Sequence, residues 1–150
     1  MCLVVVEGTN KRKAEADILV YKCLDFYCLN YYTPYQNFPV YFNKGKCVIK
    51  TPHFSYERNG YRTIVKEGIH SYYKKFKAEN IELSYKFCFG TQKHYAIIPK
   101  GTNYYIGTAG DIVSTELIVF ETEEHYKKYV EKSEKICIID ENSLSLQEIQ

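Results

Sequence analysis

Two short stretches carry the residue types best suited to hold a ligand. The first is Gly68-Ile69-His70-Ser71, which precedes a run of aromatic residues at helical spacing. Ser71 at the start of that helix would present free backbone N–H groups and the positive end of the helix dipole to a phosphate or pyrophosphate, with His70 beside it. A plainer role is open for the same residues: Ser71 as an N-cap and His70 as a satisfied loop residue. The second stretch runs from Pro99-Lys100-Gly101 to Gly107-Thr108-Ala109-Gly110-Asp111. Two glycine-containing turns flank Tyr104-Tyr105 there and end at Asp111. Glycine lets a ligand approach the backbone, and tyrosine can stack on a base or a nicotinamide ring. In this reading Lys100 and the Ser71 end hold phosphates, and Tyr72, Tyr104 or Tyr105 stacks on the base. Two ordinary β-turns with buried tyrosines are the alternative. The turn is no dinucleotide fingerprint, because it lies between extended segments and lacks the first glycine.

Other chemistries have less to work with. Cys2 would become an N-terminal thiol if Met1 were removed, yet Leu3 follows it where a glutamine amidotransferase has glycine. The six cysteines show no zinc spacing, and His53, His94 and His125 have no ligands at metal spacing. H-E-x-x-H, G-x-S-x-G, Walker and paired-carboxylate motifs are absent. No cofactor is expected. The 16 tyrosines and eight phenylalanines, with no tryptophan, favour binding something flat. Tyr126 and Tyr129 are read instead as packing a helix onto a sheet.

The elements that must position these residues fit one domain of 150 residues, with a folded unit over residues 1–140 and a polar tail over 141–150. Strands are expected at Leu3–Val6, Asp17–Leu24, Tyr61–Val65, His94–Ile98, Asn103–Ile106, Ser114–Phe120 and Ile136–Ile139. A hairpin is expected where Val40–Phe42 and Cys47–Ile49 flank Asn43-Lys44-Gly45-Lys46. Gly8–Lys13, Asn30–Pro39 and Thr51–Gly60 read as turns or loops. A helix from about Tyr72 to Tyr85 competes with a strand, because Ile81, Leu83, Tyr85, Phe87 and Phe89 alternate. Thr122 caps a second helix from Glu123 to about Lys132. Strands outnumber helices without regular alternation, so the expected class is α+β: a single domain with a largely antiparallel sheet and two helices.

Charge and composition bound the partners. A net charge of +2 offers no strong field for a long nucleic acid. No apolar run approaches the length of a membrane span. Cys2 to Val6 is too short for a secretory leader, so thiols in a reducing cytoplasm are expected, most of them as small buried hydrophobes. Lysine outnumbers arginine 17 to 3, and Lys, Asn, Ile, Tyr and Phe are abundant, which suits an A/T-rich genome.

The segments DILVYK, GIHSY and IIPKGTNYYIGTAGDIVSTELIV, with the opening MCL, resemble a group of small uncharacterised proteins encoded by bacteriophages and gut bacteria. That resemblance implies a viral protein in the cytoplasm of a bacterial host. The order of Tyr21, His70-Ser71 and Pro99-Lys100-Gly101 also resembles the layout of ADP-ribosyltransferase-like folds. Those usually place a catalytic Glu on a late strand; here only Glu116 is near, out of pattern.

The expectation is therefore a small pocket protein that binds a nucleotide-derived small molecule and sequesters a host defence signal. One alternative is an NAD-using ADP-ribosyltransferase-like enzyme with Tyr21, His70 and Glu116 in its cleft. Another is an inhibitor that binds a host protein of a defence system. Homo-oligomerisation is left open.

Overall fold

Alternation along Asp17–Tyr27 decides how everything else is arranged. Ile18, Val20 and Leu24 join one apolar cluster, and Leu19, Tyr21 and Cys23 join the cluster on the opposite face. A strand apolar on both faces must lie in the middle of a layered structure. The computed structural model describes residues 4–7, 11–34, 38–51, 55–59 and 62–150. In chain order, β1 (Val4–Glu7), β2 (Arg12–Lys13) and β3 (Asp17–Tyr27) come first. Then follow β4 (Asn30–Tyr32), β5 (Pro39–Val40), β6 (Lys46–Lys50), β7 (Ser55–Asn59), β8 (Arg62–Glu67) and β9 (Ile69–Tyr72). Helix α1 (Lys75–Phe89) leads to β10 (Gln92–Ile98), β11 (Asn103–Ile106), β12 (Asp111–Ser114) and β13 (Glu116–Phe120). Helix α2 (Glu123–Glu131), β14 (Ile136–Ile139) and β15 (Leu146–Glu148) end the chain.

The main sheet runs β2-β11-β12-β9-β3-β10-β13-β6, all antiparallel along that path. The chain is thus mixed and sheet-dominated, with two helices among the described residues. β14 adds the one parallel pairing found, at Asp17 and Ile18 of β3, and β4 pairs with Asp25 to Tyr27. A separate three-stranded sheet, β1-β8-β7, places Val65 against Val113 and Tyr105. Helices α1 and α2 cover the Leu19–Tyr21–Cys23 face through Ala78, Ile81, Tyr126, Tyr129 and Val130. The sheet curls on its other face. Cys47 to Lys50 of β6 and Gly68 with Ile69 and His70 of β9 line one cavity, although three strands separate β6 from β9 in the sheet.

Several expectations shift for local reasons. Helix α1 starts at Lys75, so Ser71 sits in strand β9 rather than at a helix N-terminus. The pairing of Ile69 to Tyr72 with β12 accounts for this, because the ladder satisfies the backbone groups that a helix start would leave open. The alternation from Ile81 to Phe89 yields to a helix that ends at Gly90 in the left-handed conformation. The expected hairpin is reduced to its turn: Asn43 bridges Lys46, but β6 pairs with β13 instead of residues 40–42. The expected loops over Asn30–Pro39 and Thr51–Gly60 contain β4, the start of β5, and β7. The polar tail includes β15, which pairs with β14. Ser114–Phe120 divides at Thr115 into β12 and β13. Met1, Cys2, Leu3, His53 and Tyr61 lie outside the described residues. Among the described residues, no helix is long and apolar enough to cross a membrane.

Candidate ligand-binding cleft

The site opens beside the second half of β3, between the strands that flank it. One edge of β3 is paired with β10 from Ile18 to Leu24. On its other edge β9 touches only at Tyr21–Tyr72, and β4 joins only from Asp25. Between those two pairings lies the stretch from Lys22 to Leu24. β9 diverges there, and the C-terminal half of α1 roofs the opening. The result is a cleft of about 830 Å³, within the few hundred to 1,000 Å³ usual for small-molecule sites. Phe26, Tyr27, Tyr72, Tyr85 and Phe89 give it aromatic walls, and Lys22, Asp25, His70 and Thr91 supply the polar groups.

Lys22 and His70 stand at its floor. Lys22 is only 7% exposed, a rare condition for a lysine. Its Nζ donates to the His70 carbonyl oxygen at 2.6 Å, bridging the divergence of β9 from β3. His70 in turn sets Nε2 3.3 Å from Oδ2 of buried Asp111 and meets the Tyr72 ring edge-on at 5.1 Å. Oδ1 of Asp111 accepts the Ala109 N–H at 3.3 Å, and the Gly110 carbonyl accepts the N–H of Tyr73. The GTAGD turn is thereby clipped to the junction of β9 and α1, and it orients His70. Opposite, Thr91 Oγ1 donates to Asp25 Oδ1 at 2.8 Å. A second, smaller cavity of about 340 Å³ shares Lys22, Pro34 and His70 with the first and opens on the other face of the sheet.

Of the seven residues singled out from sequence, the structure brings His70, Tyr72 and Asp111 together. Ser71 points to the opposite face, fully buried with its hydroxyl unpartnered. Tyr104 is buried in that face's core, and Tyr105 packs on Val65 and Val113. Lys100 lies beside Asp17, whose Oδ1 accepts its backbone N–H at 2.8 Å. Asp17 is at the start of β3, whereas the cleft opens beyond Tyr21, so Lys100 sits about 20 Å along the strand direction from His70. Glu116 occupies the same distant end and pairs with Lys50 at 3.1 Å. The Tyr21, His70 and Glu116 set is therefore not assembled.

Sequence reasoning missed Lys22, Asp25, Tyr85 and Thr91. One signal was present: Lys22 interrupts the otherwise apolar centre of DILVYKCL, and a charge in a buried strand needs a purpose or a partner. Cys23 lines the cleft, but burial pushes its thiol up to about 12, so it stays protonated and unreactive. Burial, with the neighbouring Tyr95 and Tyr126, raises Tyr21 to about 12 as well. No group of three or more metal-ligating side chains occurs among the described residues.

His94 lies outside the cleft in an aromatic cage. Its Nδ1 is 3.0 Å from the Phe120 carbonyl, its ring stacks on Phe42, and Nε2 is buried without a partner. Burial lowers its pKa below the ordinary 6.5, more than the nearby backbone and glutamate groups raise it. The folded state then binds fewer protons than the unfolded state, so stability rises with pH across this range. The His94 contribution is complete above 6.5 and is lost as pH falls from 6.5 toward the lower folded value. Urea titrations at pH 7.5 and 5 should show a larger acid loss in the wild type than in His94→Phe. Equal losses would refute this assignment.

Compared with family models, curated proteins and solved structures, the chain matches none.

Proposed function

We propose that this chain binds a flat nucleotide-derived small molecule in the α1-roofed cleft and does not transform it. The observation that carries this reading is the convergence of aromatic walls on a floor of Lys22 and His70, with Asp111 in contact with His70. Stacking on rings such as Tyr72 and Tyr85 contributes roughly 1–3 kcal/mol per base. Asp25, with one oxygen bound by Thr91, offers an acceptor for the edge of a base or for ribose hydroxyls.

The charge content narrows the ligand class. Among the described residues, Lys22 is the one lysine lining the cleft, no arginine lines it, and Asp25 stands near the mouth. Such a set suits a nucleoside or a ligand with one phosphate, and a triphosphate would meet uncompensated repulsion. Lys100 and Ser71, the expected phosphate holders, are placed elsewhere. Binding without turnover would withdraw such a molecule from its free pool. In that way a small phage protein would sequester a host defence signal.

The test is direct. Purified protein is denatured, and any released small molecule is identified by mass spectrometry. Thermal shift is then measured with adenosine, AMP, cyclic nucleotides, NAD and ATP. A ligand at 100 times its Kd adds about 2.7 kcal/mol, a shift of several degrees. The shift should be larger with AMP than with ATP. Tyr85→Ala, at a partly exposed roof position, should abolish it while leaving the unliganded melt near wild type. No released molecule, together with no shift from any of these compounds, would sink the reading. Release of nicotinamide from NAD, lost in His70→Ala, would favour the enzyme instead.

A further inference from the structure

Helix α1 is apolar on two opposite faces. Ala78, Ile81 and Tyr85 turn toward the sheet and the cleft. Phe76, Leu83 and Phe87 turn away and are 73%, 70% and 94% exposed. At 100° per residue these three fall within about 40° of one another on the helix surface. A helix with apolar residues on both sides needs two partners, and the body of the protein supplies one.

Spacing describes the missing partner. Phe76, Asn80, Leu83 and Phe87 follow steps of four, three and four, the seam of a heptad helix pair with one polar position. Glu79 and Lys86 lie together on one flank of that seam, and Lys77 and Ser84 lie on the other. In an antiparallel pair of α1 helices, Phe76 meets the second copy's Phe87 and Asn80 meets its Leu83. Glu79 then comes opposite the second copy's Lys86, and two-fold symmetry repeats the ion pair. A parallel pair would set Glu79 against Ser84 and leave Lys86 unanswered. Within one chain, Glu79 lies 3.8 Å from Lys93.

We infer that the outer face of α1 docks antiparallel on the same helix of a second copy of this chain. Three large apolar side chains per copy fall short of the roughly 800 Å² per partner of a standard interface, so the association is weak, micromolar or above. The seam lies on the side of α1 away from the cleft, so the pairing leaves the cleft open.

Sedimentation equilibrium from about 5 to about 500 µM protein tests this. The expected result is a weight-average mass that climbs from the 17.6 kDa monomer toward twice that value. Leu83→Lys, an exposed change that leaves the circular dichroism melt intact, should hold the mass at the monomer throughout. Glu79→Lys and Lys86→Glu should each weaken association several-fold, and the double variant should regain most of it. A wild type that is monomeric over the whole range would overturn the inference, and so would a dimer indifferent to Leu83→Lys. Failure of the double variant to recover would overturn the antiparallel pairing. A monomer that pellets with anionic lipid vesicles would assign the stripe to a membrane surface and overturn the inference likewise.

Discussion

Gly90→Ala is expected to lower the unfolding free energy by about 2–4 kcal/mol, the sum of left-handed backbone strain and a forced shift in packing. Gly90 closes α1 at φ +62°, and its N–H binds the Lys86 carbonyl. A Cβ built there would fall 2.2 Å from the backbone oxygen of Phe26. That oxygen is not the free end of a flexible side chain. Phe26 is pinned to this point by its own N–H, which donates to the Gly90 carbonyl at 3.2 Å. Glycine here seats the β3–β4 hairpin on the end of α1, joining one wall of the cleft to its roof. With about 2–4 °C per kcal/mol for a chain of this size, the midpoint should fall by about 5–15 °C. Gly101→Ala is the control. Its φ is +91° but a Cβ meets nothing within 4 Å, so it carries the strain without the clash. Equal losses in the two variants, measured by urea titration, would mean that the hairpin is not seated as described.

How far the sequence led depends on which interactions decide each element. β3 and β10 are legible as short apolar runs that bury side chains on both faces, and β11 as an alternation that buries one face. Helix α2 was legible because Thr122 accepts the His125 N–H, and acidic residues fill the first turn. Elements set by distant partners were hidden. Asn30-Tyr31-Tyr32 reads as loop, yet it becomes β4 because it finds the end of β3 across a turn at Cys28 and Leu29. Both turn residues take positive φ without being glycine or asparagine, so the usual turn signature is missing. Ser55–Asn59 likewise becomes a strand only by pairing with β8.

The site was half legible for the same reason. His70 and Tyr72 stood out because they are local in sequence. Asp111 was chosen for its turn and became the partner of His70 through the β9–β12 ladder. The opposite wall, from Lys22 to Tyr27 with Thr91, comes from strands whose divergence no local pattern encodes. A single polar residue in an apolar strand was the available clue, and Lys22 supplied it.

The second large effect concerns His70 at the floor of the cleft and its partner Asp111. Asp111→Ala should destabilise the fold by about 1.5–3 kcal/mol, because it removes a buried carboxylate that accepts hydrogen bonds. Two donors depend on that carboxylate: the Ala109 N–H at 3.3 Å, and Nε2 of His70 when protonated, also at 3.3 Å. Asp111→Asn retains an acceptor of the same shape and should lose considerably less. The pair itself is isolated by a double-mutant cycle of Asp111→Ala and His70→Phe, which should show a coupling of about 0.5–3 kcal/mol. Binding adds a separate readout. Once Asp111 no longer orients it, the imidazole can turn off the Tyr72 ring, so affinity for the proposed nucleotide-derived ligand should fall in Asp111→Ala even where the protein is fully folded. Additive stabilities in the cycle, with unchanged affinity in the folded single variant, would show that the pair merely fills space. Coupling together with weakened binding would identify Asp111 as the residue that positions His70 for the ligand, which links the clipping of the GTAGD turn onto β9 to the function of the cleft.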